Sequence, residues 1–303
     1  MKRICLALLL TALPALAQGP LFEAAVIKPT SAEQLQAALR AGEIVQTGIT
    51  IDKNRVNIRY QSLSDILAFA YAVAPFQLVG PDYLKSERFD VLAKLPAGAN
   101  EEQVPQMLRA LLAERFGLAL HREKREESVY ALVVSKGGLK KMKPATEAEM
   151  TPEPMEGDRT QSTAFGKLTI RQVPGKGIVR FMPGLGILNV TAGASGGPHV
   201  ELSNLTAVGF AQMLTSEGDR VVVDKTGLKG SYEASFDIST DQQGPQAQSP
   251  GGNATGGGPA MASAPRLNPM FMAVEQLGLK LEPQKDSVDM IVIDHVEKTP
   301  TEN

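Results

Sequence analysis

Beyond position 5 the chain has no cysteine, it has no tryptophan at all, and only three histidines. The missing thiols exclude cysteine nucleophiles, thiolate metal sites and CxxC redox motifs together. With no tryptophan and five tyrosines, aromatic platforms for stacking sugars or bases are scarce. No run of about 18 uninterrupted apolar residues occurs, so no segment reads as a membrane-spanning helix. Basic residues number 31 against 33 acidic ones, which lacks the basic excess of a nucleic-acid binder.

What is there begins with MKRICLALLLTALPALA at 1–17. Lys2 and Arg3 form a positive start, Ile4 to Leu13 an apolar stretch, and Ala15-Leu16-Ala17 a small-x-small cleavage site, the pattern of a secretory signal. An uncleaved N-terminal anchor is the alternative. Cys5 lies inside the signal and Gln18 follows it, so the mature protein is expected to be free of cysteine and periplasmic or secreted. Loss of Lys2 and Arg3 takes the 31 basic residues to 29 against 33 acidic ones, a mildly negative mature chain.

Two stretches repeat in the same order. FGLALHREKREESVYALVVSK at 116–136 is echoed by LGLKLEPQKDSVDMIVIDHVEK at 277–298, and ERFDVLAKLP at 87–96 by GSYEASFDIS at 230–239. Repetition at both places predicts an internal duplication. The expected organisation is a signal at 1–17, a first α+β unit at 18–143, a linker at 144–168, a second α+β unit at 169–298 and a loose tail at 299–303. Residues 242–265, rich in Gly-Gly runs, read as a flexible insertion in the second unit.

The local signals fill in these units. Ser31 with Gln34 and Ser62 with Asp65 have capping-box spacing at the starts of two helices. Val104, Met107, Leu108, Leu111, Leu112 and Phe116 recur at helical spacing; Pro105 moves the regular start of that helix toward Val104, and Gly117 ends it. Strands are expected near 49–51, 56–60, 76–79 and 88–93. Leu118 to Glu123 and Val129 to Ser135 read as an antiparallel pair about a charged connector at 124–127. In the second half, 169–173 and 178–181 read as a hairpin, Asn204 as the cap of a helix, 220–223 and 232–238 as strands, and Asn268-Pro269 as a helix start. The fold class that follows is α+β: two related units, each a small, mostly antiparallel sheet with helices packed on one face. A single sheet continuous through both halves is the other arrangement compatible with these elements.

The sequence offers little catalytic chemistry. His121, His199 and His295 have no HExxH or comparable zinc spacing. Asp224-Lys225-Thr226-Gly227 lacks the strand–loop–helix of a phosphate-binding loop and reads as a turn closed by the Asp224 side chain. Ser62, Ser128 and Ser203 lie outside any Gly-x-Ser-x-Gly elbow, and no two carboxylates stand out as a glycosidase pair. What remains is a contact surface on a constrained loop: Phe76 and Gln77, followed by Tyr83 beyond Gly80-Pro81.

At this point the sequence resembles a family of secreted proteins expanded in soil Acidobacteria, carrying a domain of unknown function. The resembling stretches are FEAAVIKP at 22–29, SLSDILAFAYAVAPFQLVGPDYLKSERFDVLAKLPAG at 62–98, MLRALLAERFGLALHREKREESVYALVVSKGG at 107–138, VVVDKTGLKGSYEASFDI at 221–238, and the segment from Leu277 to Pro300. The resemblance implies export and no assigned catalytic residues. Some relatives join this domain to a BlaR-type metallopeptidase region; no such motif is present here, so protease activity is not carried over. The half-units also loosely resemble the short N-terminal domains of secretins and TonB-dependent receptors, which are periplasmic interaction modules; that analogy is one of fold alone.

The expected function is therefore an exported, non-enzymatic binding or interaction protein of the cell envelope, with no cofactor or metal. Its partner would be an envelope protein or a small envelope ligand, not a nucleic acid. The alternative is a periplasmic hydrolase whose site is assembled between the two units.

Overall fold

The computed structural model describes residues 20–42, 47–52, 54–145, 155–164, 166–174, 177–182, 186–193, 197–238 and 274–301. The expected signal at 1–17, the insertion at 242–265 and the helix start at Asn268-Pro269 lie outside them.

Strand β1 (Ala24–Thr30) leads into α1 (Ala32–Arg40), where Ser31 and Gln34 close the expected capping box. Strands β2 (Gly48–Asp52) and β3 (Arg55–Ser62) form a hairpin, and Ser62 and Asp65 cap α2 (Leu63–Tyr71) in the same reciprocal way. Pro75–Gln77 then forms a 3-10 turn rather than the start of a strand, so that β4 is only Leu78–Val79. The short helix α3 (Tyr83–Ser86) and β5 (Arg88–Lys94) follow. A 3-10 turn at Glu101–Gln103 precedes α4 (Val104–Phe116), with Gly117 in the left-handed region at its C-cap. The helix thus starts where Pro105 allows it.

The largest departure from the sequence reading comes next. Ala119–Val134 is one unbroken strand, β6, without a turn at 124–127. Its counterpart near the C-terminus, Leu279–His295, is likewise one strand, β15. The two long strands pair with each other, antiparallel from Leu279↔Val134 to Ile293↔Leu120. The charged stretch reads locally as a turn because a half-buried strand should alternate. Here one face of the ribbon's middle carries the small buried cluster of Val129, Val288 and Met290 while β6 contributes charged residues to both faces, and opposite charges meet across it: Lys124 stands opposite Asp289, and Lys285 pairs with Glu126 at 3.2 Å.

Between them the chain forms β7 (Met142–Pro144), β8 (Arg159–Thr163), β9 (Gly166–Val173), β10 (Gly177–Met182), β11 (Gly186–Ala192) and β12 (Pro198–Thr206). The segment expected as a linker, 144–168, contributes β8 and the opening of β9. Thr206, not Asn204, caps α5 (Ala207–Glu217). Asn204 instead sits at φ 56° inside a bulge of β12. Strands β13 (Val222–Asp224) and β14 (Ser231–Asp237) and a helical turn at 274–276 complete the described chain up to β15.

The result is an α+β fold with two sheets. One has eleven strands in the order β1-β5-β3-β2-β8-β9-β10-β11-β12-β14-β7; the other has four, β13-β6-β15-β4. The expectation of one separate sheet per unit is corrected: strands of both halves share both sheets. The long sheet is antiparallel throughout, and β8 to β10 bridge its two ends.

Each end of the long sheet has its own core. At one end Ile49, Ile51, Val56, Ile58, Phe89 and Val91 pack under α2 and α4. At the other, Val200, Leu202, Ala234 and Phe236 pack under α5, Val274 and Leu277. Cross-strand partners share a face. One face can be followed from Ile49 to Ser162 and Lys167, and from Thr169 to Phe181 and Ile187. Leu188 and Val190, which pack on the second core, lie on the other. The two cores therefore occupy opposite faces of one sheet, and the β6–β15 ribbon reaches both, with Leu120 and Ile293 at the first and Leu132 and Leu279 at the second. Among the described residues no helix is long and apolar enough to cross a membrane.

Candidate functional site

On the four-stranded sheet an open pocket of about 320 Å³ lies between the two halves. Its floor is regular strand. Val129 of β6 and Val288 and Met290 of β15 form a small buried cluster flanked by Val79, Val221 and Val223. Its two walls are the turns that precede the short strands β4 and β13. Phe76 and Gln77 form one wall; Asp219, Arg220 and Val221 form the other.

These walls stand in matching positions. Leu78 of β4 runs parallel to β15 opposite Ile291, and Val222 of β13 runs parallel to β6 opposite Tyr130. Each wall is thus the segment just before a short strand that docks on the long strand of the other half.

Each wall is held by its own hydrogen bonds. The Gln77 side chain accepts from the Ala74 amide at 2.9 Å and donates to the Asp289 carbonyl at 3.0 Å, pinning the turn to β15. Across the pocket Arg220 donates twice to Asp219, at 3.1 and 3.0 Å, and its guanidinium lies over the Tyr130 ring at 4.8 Å. That pairing lowers the Asp219 carboxyl below its ordinary range and raises Arg220, in each case chiefly through the hydrogen bond. The wall is anchored from behind by buried Thr215, whose hydroxyl donates to the Ala211 carbonyl and accepts from the Val222 amide, both at 2.9 Å.

One charge at the pocket differs from the rest. Glu127 faces the pocket from β6, and its cross-strand neighbour is another carboxylate, Asp286. Asp286 is compensated by Lys225 at 3.5 Å and by the Gln284 amide at 3.3 Å. Nearby Arg125 is taken by Glu123. Among the described residues Glu127 has no such partner.

Of the residues expected at a contact surface, Phe76 and Gln77 line this pocket. Tyr83 does not. Its hydroxyl donates to the Val296 carbonyl at 2.6 Å, and its ring packs half-buried against the first core. Arg220, Glu127 and Met290 are not singled out by sequence. They lie in strands and turns whose partnership depends on pairing between distant halves, and no local signal marks them.

The histidines go to separate carboxylates: His121 to Asp294 at 2.9 Å, His199 to Asp237 at 2.7 Å, and His295 to Glu297 at 3.1 Å. None lines the pocket. The hydrogen bond to Asp294 raises the His121 pKa above its ordinary value. Among the described residues no group of three His, Cys, Asp or Glu side chains is placed to hold a metal ion. Asp224 closes its turn as expected, accepting from the Thr226 amide at 2.9 Å.

A second pocket, of about 290 Å³, lies between α1 and the sheet, lined by Lys28, Arg59, Tyr60 and Asp90 among others. One of its walls is α1, a helix with no buried residue. The pocket on the ribbon rests on a firmer frame.

A family model described as "Protein of unknown function (DUF3738)" matches residues 64–296, from α2 to the residue after β15. No curated protein and no solved structure matches the chain.

Proposed function

The chain belongs to the DUF3738 family, and we propose that it is an exported, non-enzymatic binding protein of the cell envelope whose ligand seat is the pocket on the β6–β15 ribbon. The observation that carries this reading is the build of the pocket: an apolar floor of regular strand between two hydrogen-bonded walls, one from each half. A preformed concavity that sets apolar surface beside a few fixed polar groups is a usual form of small-ligand site, and here five apolar side chains line the pocket with five polar or charged ones. Two of its polar side chains are already fixed: Gln77 at both ends, Arg220 by Asp219. A hydrolase of the nucleophile–histidine kind, with its site shared between the halves, would need a histidine in that pocket, and all three pair with carboxylates outside it. Export is supported by the signal pattern at 1–17.

The halves are read as two related units, β1 to β6 and β7 to β15, with β8 to β10 an elaboration of the second. An alignment that sets Gly117 on Gly278 also sets Tyr130 on Ile291 and Val129 on Met290. A second, setting Ser62 on Thr206, puts Leu78 on Val222, Phe76 on Arg220 and Tyr60 on Asn204. Under these alignments the contacts Leu78–Ile291 and Val222–Tyr130 are one contact made twice. Tyr60 and Asn204 both take positive φ, 53° and 56°, inside bulges between paired strands. Lys28-Pro29 and Lys143-Pro144 occupy matching edge positions, Pro29 opposite Phe89 and Pro144 opposite Tyr232. Each unit thus lends its short strand to the other's long one, and the pocket forms where the exchange occurs.

The test is capture from the host's own solubilised envelope and soluble periplasmic fraction, with the folded protein immobilised beside a Val221→Trp variant that fills the pocket. A ligand held saturably by the wild type and lost from a variant of unchanged circular dichroism supports the reading. Equal retention by both, or none by either, contradicts it.

A further inference from the structure

We propose that the ribbon pocket recognises a primary ammonium group carried on an apolar stem, with Glu127 as its counter-charge. The inference rests on the reading of that pocket as the ligand seat and assigns the chemical class of the ligand.

Three charged side chains line the pocket: Glu127, Asp219 and Arg220. Asp219 and Arg220 neutralise each other through two hydrogen bonds, and the guanidinium is further occupied by the Tyr130 ring. Among the described residues that leaves Glu127 without an ion-pair partner. Across the strand Glu127 meets Asp286 rather than a cation, and a like-charged cross-strand pair is unfavourable. Asp286 has Lys225 and Gln284; the nearest arginine along β6, Arg125, has Glu123. Among the described residues none of the ribbon's cations relieves Glu127.

Beside that carboxylate the pocket floor is apolar. Val129, Val288 and Met290 are buried on the floor, and Phe76 and Val221 stand at the walls. A carboxylate beside such a floor suits a cation that brings its own apolar body, since the head pairs with the charge while the stem covers apolar surface. A metal ion would need several converging oxygens, and no such group is found among the described residues. An anion would meet Glu127 unscreened. A bare ammonium would gain nothing from the valines and Met290. The arrangement selects the combination of an ammonium head at Glu127 and an aliphatic or aromatic stem across the floor toward Phe76.

Such a group is presented either by a free amphiphilic amine or by a lysine side chain of a partner. The experiment is calorimetric titration of the full protein at neutral pH with n-hexylamine, n-hexanol, n-hexanoate and Nα-acetyl-lysine methylamide, repeated with Glu127→Gln. The expected result is a preference of roughly tenfold or more for an ammonium probe over hexanol, as a charge-assisted hydrogen bond provides, abolished in Glu127→Gln. Tighter binding of hexylamine identifies a free amine as the ligand type, tighter binding of the blocked lysine a partner's side chain. If hexanol or hexanoate binds as well as the amines, or Glu127→Gln keeps the preference, the proposal is overturned while the pocket stands as a ligand seat. If no probe binds a folded protein, both fall.

Discussion

Tyr130 and Ile291 play the same part in two different strands. Each is the residue of a long strand against which a two- or three-residue parallel strand from the other half docks, Val222 on Tyr130 and Leu78 on Ile291. Neither short strand could stand alone. Each exists because a long antiparallel ribbon offers it a template, and the ribbon in turn needs the cores at its two ends. The docking of both short strands and the stability of the ribbon are thereby concentrated at one place.

The anchor behind β13 is the first test of this coupling. Thr215→Val removes the acceptor of the buried Val222 amide while keeping the side chain's shape. Leaving that donor unpaired is expected to cost about 1–3 kcal/mol, read by chemical denaturation. Thr215→Ser, which keeps the hydroxyl, is expected to recover most of the loss. Ligand capture should weaken in the valine variant beyond its stability loss, because β13 carries one wall of the pocket.

The glycines that follow α4 and the helical turn at 274–276 occupy the same motif but differ in surroundings. Gly117 and Gly278 both have positive φ, 57° and 79°. A Cβ on Gly117 would meet the His295 ring at ordinary contact distance, whereas on Gly278 it would run into the Gly138 carbonyl and the backbone of Leu139 and Lys140. Gly117→Ala is therefore expected to cost about 1–2 kcal/mol from the left-handed conformation alone. Gly278→Ala should cost about 3 kcal/mol or more, since the obstacle is backbone that cannot turn aside. Equal losses in thermal melts would contradict the close approach.

Two acid–base pairs give opposite pH signatures. Asp158 is half-buried against Arg171, whose guanidinium, with the Met155 amide, holds its carboxyl down to about 2. A carboxyl lowered on folding contributes stability that is present above its ordinary pKa of 3.8 and is lost as pH falls toward 2. The stability difference between wild type and Asp158→Asn should therefore be full at neutral pH and shrink across that acid window.

For His121 the sign is reversed. Its folded pKa is raised above 6.5 by the hydrogen bond to Asp294, so its contribution is complete below that value and is lost as pH rises through the raised one. The site is exposed, and the effect on stability is small. The direct observable is the His121 ring titration by NMR, expected to move to lower pH in Asp294→Asn.

Much of the fold is legible in the sequence where local chemistry decides it. The capping boxes at Ser31 and Ser62, the delayed start of α4 at Val104, the hairpin of β9 and β10 and the Asp224 turn all depend on residues a few positions apart. The ribbon is not legible. On β6 its middle carries charge on both faces, because the apolar residues of the small cluster there, Val288 and Met290, come from β15, and a period-two test on one segment takes the charged run for a turn. Asn204 has the chemistry of a helix cap, but its backbone is claimed by a bulge and Thr206 takes the cap. Phe76 and Gln77 stand out because a constrained loop announces itself. Glu127, Arg220 and Met290 become pocket residues only through pairing between segments distant in sequence, which no window along the chain displays.

Whether the two halves build one binding site together is read most directly from methyl and amide NMR of the protein titrated with its host's solubilised envelope extract. The expected result is a single saturating set of shifts that includes Gln77, Val129, Val221, Val288 and Met290, drawn from both halves and sharing one affinity. Shifts confined to one half, or gathered instead around α1, Tyr60 and Asp90, would contradict it.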